Sequence, residues 1–293
     1  MTERELLVCD LDNTLYDWVA YFVPAFYAMV DAVTHLTGCN KDQLLDDFRE
    51  VHQKFHDTEH PFALLETRTI KELYPNESWE KLRARMDPAF HAFNSARKAN
   101  LKLYPGVKDT LDFLQASGIA IVAHTESKLY GAVDRVKRLD LLKYFSRIYC
   151  RERSPGSHPF ENKSGLFDEI QIDRVVELSQ HQAKPNADVL LEICSKEGVP
   201  FHQAAYIGDS VARDVLMAKR ANVFSIWARY GTIHDPNLYA GLIRISHWTA
   251  REVDREKKLQ LEARAIQPDL IATHSFTEVR QAFNTTQEAS AFN

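Results

Sequence analysis

The run Leu6-Leu7-Val8-Cys9-Asp10-Leu11-Asp12-Asn13-Thr14 constrains this chain more than any other stretch. Four apolar residues in a row are the pattern of a strand covered on both faces, which belongs in a parallel sheet flanked by helices. Two carboxylates follow, one residue apart. In extended backbone, residues i and i+2 face the same side, so Asp10 and Asp12 lie near each other where the strand ends. Like charges that close repel unless a cation or a shared proton separates them. A polar site at the carboxyl end of a buried strand is therefore expected, which is where open α/β sheets bind their ligands.

Two further apolar runs end in the same way. Residues 119–123 lead into His124-Thr125-Glu126-Ser127, and residues 204–207 lead into Gly208-Asp209-Ser210, with Asp214 one helical turn further on. Between the first strand and residue 101 the periodicity is helical: 18–36 with Pro24 near its start, then 42–56, 62–73 and 78–99. These spacings predict an all-helical cap, residues 16–100, inserted into an α/β core made of residues 1–15 and 101–293. Strands and helices alternate after residue 101, which predicts a doubly wound, Rossmann-like parallel sheet. Residues 151–164 are rich in charge, Pro, Gly and Ser and read as a loop or insertion. Residues 251–265 read as a solvated helix, 269–272 as an edge strand and 276–283 as a closing helix.

A chain of 293 residues has ample length for a buried core. A formal net charge of −5, with no basic block, argues against a nucleic-acid partner. The N-terminus lacks the grammar of a signal peptide, and no apolar stretch comes near the ~20 residues of a membrane helix. Four scattered cysteines without a CxxC pair read as buried free thiols of a reducing, cytoplasmic protein. Oligomeric state leaves no trace in the sequence.

Taken in order, these motifs resemble those of the haloacid dehalogenase superfamily, in its phosphatase branch with an inserted helical (C1-type) cap. The family's Asp-x-Asp-x-Thr motif matches residues 10–14, its strand-closing Thr matches Thr125, its Lys-Pro matches Lys184-Pro185, and its Gly-Asp-Ser with a further Asp matches Gly208-Asp209-Ser210 and Asp214. The resemblance implies a Mg²⁺-dependent phosphomonoester hydrolase acting through an aspartyl-phosphate on a small soluble phosphorylated metabolite. On that reading Asp10 is the nucleophile and Asp12 the acid–base group, while Thr125 and Lys184 hold phosphoryl oxygens. Mg²⁺ is held by Asp10, the backbone carbonyl of Asp12, Asp209 and Asp214, the last either directly or by orienting the others. Asn13, Tyr16 and Glu126 are candidate substrate contacts. Lys163, before Ser164-Gly165, rivals Lys184 for the lysine role. The turn around Asn13 also resembles relatives that dephosphorylate nucleoside monophosphates.

Alternatives stay open. Dehalogenating members of the family lack an acid two positions after the nucleophile, because halide leaves without a proton, so Asp12 favours phosphate esters. Carbon–phosphorus cleavage would need a cap lysine, for which Lys41, Lys54, Lys71 and Lys81 are available. A non-catalytic phosphate-binding module would have no use for Asp12. Tyr16, Trp18, Tyr21 and Phe22 either stack on a substrate or pack the cap, and packing is favoured. His52, His56 and His60 recur at four-residue spacing but lack the Glu of a zinc-protease helix.

Overall fold

The computed structural model describes residues 4–60, 62–152 and 174–283. Seven parallel strands form one sheet: β1 (Leu6–Cys9), β2 (Ala120–Lys128), β3 (Ile148–Arg151), β4 (Val175–Leu178), β5 (Ala204–Gly208), β6 (Phe224–Ala228) and β7 (Leu270–Ala272). Their order is β4-β3-β2-β1-β5-β6-β7, the doubly wound arrangement in which the chain runs outward from β1 twice. β1 sits at the centre, with Leu7 opposite Ile121 on one side and Ala205 on the other.

Period-two alternation sorts the strand's side chains between two cores. Leu7 and Cys9 join the layer that includes Leu111 of α7 (Val107–Ala116) and Val133 of α8 (Leu129–Arg138). Leu6 and Val8 face the layer that includes Leu190 of α9 (Ala187–Lys196) and Met217 of α10 (Leu216–Arg220). With no face of β1 in water, its carboxyl end becomes the strand's one polar outlet, and there Asp10 follows Cys9.

A third core lies in the helical insertion: α1 (Trp18–Thr37), α2 (Lys41–Phe55), α3 (Ala63–Glu66), α4 (Arg68–Leu73), α5 (Trp79–Arg85) and α6 (Asp87–Asn100). Pro24 lies inside α1 without ending it. Two helices expected as single runs are each broken in two. Thr67 takes an extended backbone between α3 and α4, its hydroxyl donating to the Leu64 carbonyl, and Met86 separates α5 from a helix that begins just before Pro88. α1 is also long and apolar enough, by length and composition alone, to cross a membrane, contrary to the sequence expectation. Its apolar side chains, among them Val19, Phe22, Phe26, Val30 and Val33, form the middle of the insertion's core.

The crossover from β6 to β7 holds a feature the sequence did not reveal. Its first helix, α11 (Pro236–Ile245), packs on α1 and α2 rather than on the sheet. Ile245 is fully buried in the insertion's core, and the Gly241 carbonyl accepts the Tyr27 hydroxyl at 3.2 Å. Its second helix, α12 (Ala250–Ala263), returns to the sheet domain and docks through Glu256 on Arg213, rather than standing free in solvent. The insertion is therefore joined to the core by three crossings. Two of them lie side by side, where Tyr16 bridges to Leu103 and the Tyr104 amide donates to the Leu15 carbonyl at 2.8 Å. Beyond the stretch read as a loop (151–164), β4 forms the sheet edge, a strand not expected from the sequence; its Val-Val-Glu-Leu is too short and mixed to stand out.

Candidate active site

The polar residues singled out in the sequence meet at the carboxyl edge of the sheet. The Asp10 amide donates to the Ile207 carbonyl at 2.9 Å, carrying the β1–β5 pairing one residue past the strand. The turn then reverses through Asn13, whose φ of 56° is the left-handed conformation that Asn tolerates. Thr14 Oγ1 donates to Asp10 Oδ2 at 2.9 Å. Gly231 presses on the same turn: a Cβ there would lie 1.7 Å from the Asn13 carbonyl oxygen. Beside it the Tyr230 hydroxyl donates to the Thr14 carbonyl at 2.7 Å.

Lys184 closes the floor of the site. Its Nζ donates to Asp10 Oδ1 at 2.7 Å and to Asp214 Oδ1 at 2.9 Å, and all three side chains are almost wholly buried. Asp214 Oδ1 also accepts the Tyr206 hydroxyl, and its Oδ2 accepts the Ser210 amide at 3.0 Å. Gly208 is required here, because a Cβ would lie 2.2 Å from the Asp214 carboxyl carbon. Burial would lower the Lys184 pKa, but Asp10 and Asp214 outweigh it and hold the ammonium well above its usual value. Burial lifts Asp10 to about 7, against the pull of Lys184 and with the push of Asp214 and Asp12. Burial, then Asp10 and Asp214, raise Asp209 well above the carboxylate range.

Such mutual elevation is what a cation would relieve. Asp10, Asp209 and Asp214 each offer an oxygen within 4.8 Å of the others, an all-oxygen set that fits a hard divalent ion. Both Asp214 oxygens are also taken by Lys184, Tyr206 and Ser210, so its geometry orients the floor. Asp209 is fixed from the backbone, its carbonyl accepting Trp227 Nε1 at 2.9 Å.

The other candidates fall around this floor. Thr125 is fully buried within β2, and its Oγ1 accepts the Ser127 amide at 3.0 Å. Glu126 accepts the Lys184 amide at 3.1 Å and so steadies the lysine's segment. Asn13 Oδ1 accepts the Trp18 amide at the start of α1. Tyr16 is fully buried, its hydroxyl accepting Arg135 Nε at 2.9 Å. Trp18 stacks on Phe22 at 5.1 Å, and Tyr21 and Phe22 are buried, so these aromatics pack. His52 Nδ1 pairs with the Ile245 carbonyl at 2.7 Å, His56 with Glu252 and His60 with Glu66. Among the described residues no histidine belongs to a cluster that could hold a metal. Lys163 lies outside the described residues.

Three residues at the site carry no motif. Arg135, fully buried on α8, lies 3.4 Å from Asp12 through both Nε and Nη2, and the Ser127 hydroxyl bridges the two side chains. Its Nη1 donates to both oxygens of Glu59 at 2.7 and 3.0 Å, and Glu59 belongs to the loop after α2. The only sequence signal was an arginine flanking the apolar stripe Leu129, Ala132, Val133 and Val136, on the side of the helix that should be buried.

A parallel sheet whose central strand ends in a lysine-bridged carboxylate cluster, roofed by helices, places the chain among doubly wound α/β proteins with a polar site beyond the strand ends. Residues 5–222 match the family model of haloacid dehalogenase-like hydrolases, and residues 181–275 match a related HAD-hydrolase-like model. The chain belongs to the haloacid dehalogenase-like hydrolases, on their phosphatase branch. It is 26% identical over 248 residues to a phosphoglycolate phosphatase of Agrobacterium fabrum, covering 79% of this chain and 84% of that protein. It is 26% identical over 232 residues to a glyceraldehyde 3-phosphate phosphatase of Methanopyrus kandleri, covering 77% and 84%. In fold it is similar to a 2-haloacid dehalogenase of Pseudomonas syringae, with a TM-score of 0.54 at 18% identity over 95% of this chain and 97% of that one.

Proposed function

We propose that the chain is a Mg²⁺-dependent phosphatase that hydrolyses a phosphomonoester of a small metabolite through a phosphorylated Asp10. The observation that carries this reading is the Lys184 ammonium held between Asp10 and Asp214, with Asp209 facing the same point. An ammonium at that place offsets charge on a phosphoryl group as Asp10 attacks it. Thr14 holds the Asp10 oxygen that is not bonded to lysine, which fixes the carboxylate's plane. Asp12 gives a proton to the leaving oxygen and later takes one from the hydrolytic water, a contribution of roughly 10²–10⁴-fold. Asp10, Asp209 and the Asp12 carbonyl would hold Mg²⁺, with Asp214 orienting the set. Bound there, the ion would supply charge neutralisation and alignment of the phosphoryl group.

The two curated relatives are named for phosphoglycolate and glyceraldehyde 3-phosphate, which supports a small, highly polar substrate. A nucleoside monophosphate has less support: Tyr16 and Trp18, the aromatics nearest the turn, already have Arg135 and Phe22 as partners. Dehalogenation is disfavoured by Asp12 itself, since a halide needs no proton. Free thiols at Cys9, Cys39, Cys150 and Cys194 fit a reducing cytoplasm.

Phosphate release from 2-phosphoglycolate and a panel of sugar, glycerol and nucleoside phosphates, with Mg²⁺ and then with chelator, tests the reading. Asp10→Asn should lower turnover at least about 10³-fold. Undiminished turnover in that variant, or full activity in chelator, would overturn it.

A further inference from the structure

Asp12 is held asymmetrically. Its Oδ2 accepts the Ser127 hydroxyl and faces Arg135 Nη2, whereas its Oδ1 is buried without a hydrogen bond. One oxygen is anchored by a hydroxyl, and the other accepts no hydrogen bond and so can carry a proton. The guanidinium that could close on both oxygens is held back from them. Nε and Nη2 stand parallel to the carboxylate, each at 3.4 Å, a stretched form of the bidentate fork that arginine prefers with carboxylates. Tyr16 pulls on Nε at 2.9 Å, and Glu59 pulls on Nη1 through two contacts at 2.7 and 3.0 Å. Glu59 comes from the helical insertion, on the loop whose Asp57 also pairs with Lys128 of the core at 3.0 Å.

We propose that Arg135 is a positioning residue for Asp12, and that Glu59 makes its action depend on the docked cap. With the cap docked, Glu59 draws the guanidinium away and leaves Asp12 Oδ1 free. With Glu59 withdrawn, the buried cation has one carboxylate left and closes on it as a fork, because a buried charge without a full set of partners is costly. That closure takes Oδ1 out of use. The inference rests on the reading of Asp12 as the proton donor: as the bond from Asp10 to phosphorus forms and the bond to the leaving oxygen breaks, that oxygen receives its proton from Asp12 Oδ1. Proton transfer to the leaving group is then available only under a closed roof, where water is excluded from the phosphorylated Asp10.

Leaving groups supply the test. The ratio kcat/KM is measured with Mg²⁺ for substituted phenyl phosphates from p-nitrophenyl phosphate to phenyl phosphate, and for 2-phosphoglycolate, whose alkoxide needs the proton most. Asp12→Asn should spare p-nitrophenyl phosphate relative to 2-phosphoglycolate, steepening the dependence on leaving-group pKa. Glu59→Gln should steepen it too, costing p-nitrophenyl phosphate less than about threefold but 2-phosphoglycolate roughly 10- to 100-fold, within the range of acid catalysis. The double variant E59Q/R135Q, which removes the fork as well, should regain part of that loss. Should Glu59→Gln fail to fold, Ser127→Ala, which removes the Oδ2 anchor, should give the same steepening. Equal losses on every ester, or no rescue by the double variant, would leave Glu59 a merely structural contact and overturn the proposal. An unchanged slope in Asp12→Asn would overturn the acid assignment, and this proposal with it.

Discussion

The floor of the site and the contacts around the helical insertion are both built from buried polar groups, but they are fastened in opposite ways. At the floor, Lys184, Asp10 and Asp214 bond one another within the sheet domain, Asp10 just past the end of β1, Lys184 just before α9 and Asp214 in the turn after β5. At the junction, each partner comes from a different segment of the chain: Glu59 from the insertion and Arg135 from α8, His52 from α2 and the Ile245 carbonyl from the β6–β7 crossover. A bond within one rigid layer holds geometry. A bond between layers lets one layer sense the other. On the function proposed above, the floor serves chemistry and the junction serves closure, a division that can be attacked from either side.

The largest effect should come from removing the cation of the floor. Lys184→Met leaves Asp10 and Asp214 facing each other in a buried space, and breaking a buried pair by deleting one partner costs about 3–5 kcal/mol. Denaturant unfolding measures that loss, with phosphate release falling below detection. A variant that lost activity but kept its stability would mean that the floor is wetter and looser than its geometry.

Acid should separate the two regions by sign. Burial, opposed by the Ile245 hydrogen bond, holds His52 down at about 4, below the value near 6.5 it takes in an unfolded chain. The unfolded chain then binds the proton first, so stability falls as pH drops from about 6.5 to about 4, on the order of 3 kcal/mol in all. Asp10, lifted to about 7, has the opposite sign: in metal-free protein its contribution improves as pH falls from about 7 toward 4. His52→Asn should flatten the acid loss and Asp10→Asn should deepen it, read from urea midpoints at pH 7 and pH 4.5. Parallel profiles for both variants would erase the distinction.

A smaller effect is expected at the turn joining floor to roof. Gly231→Ala places a methyl against the Asn13 carbonyl, and overpacking of this kind costs roughly 1–3 kcal/mol. Because Asn13 stands between Asp12 and Thr14, turnover should fall more steeply than stability, and a variant with normal kcat would show that the turn yields without moving its neighbours.

The floor was legible in the sequence because its residues sit at strand ends, where an apolar run stops and a polar cluster begins, as at Asp10, Thr125 and Asp209. Period two and burial dictate both the strand and the direction its last side chains face. The junction had no such grammar. Glu59 and Arg135 lie 76 positions apart and meet only because the loop after α2 comes down on α8. α11 carries an ordinary amphipathic pattern, and nothing in that pattern says whether its apolar side meets the sheet or the insertion. β4, and the breaks at Thr67 and Met86, escaped because tertiary contacts decided them over local propensity.

The smallest effect should come at the far end of the crossover, where the junction touches the floor from outside. Arg213 donates to Glu256 at 2.8 and 3.1 Å, with side chains 35% and 19% exposed. A pair that wet contributes little, about 0–1 kcal/mol, so Glu256→Gln should scarcely move the urea midpoint. Its position gives it more reach than its energy, because Arg213 lies in the turn Val211–Val215 that also carries Asp214. α12 further lines a cavity of about 340 Å³ shared with Asp209, Ser210 and Trp227. If the crossover transmits the cap's position, Glu256→Gln should lower kcat/KM a few-fold while stability stays within ~1 kcal/mol. A loss of stability well beyond that would move this contact to the side of the floor, and the crossover would then be a fixed brace rather than a link that carries the cap's position.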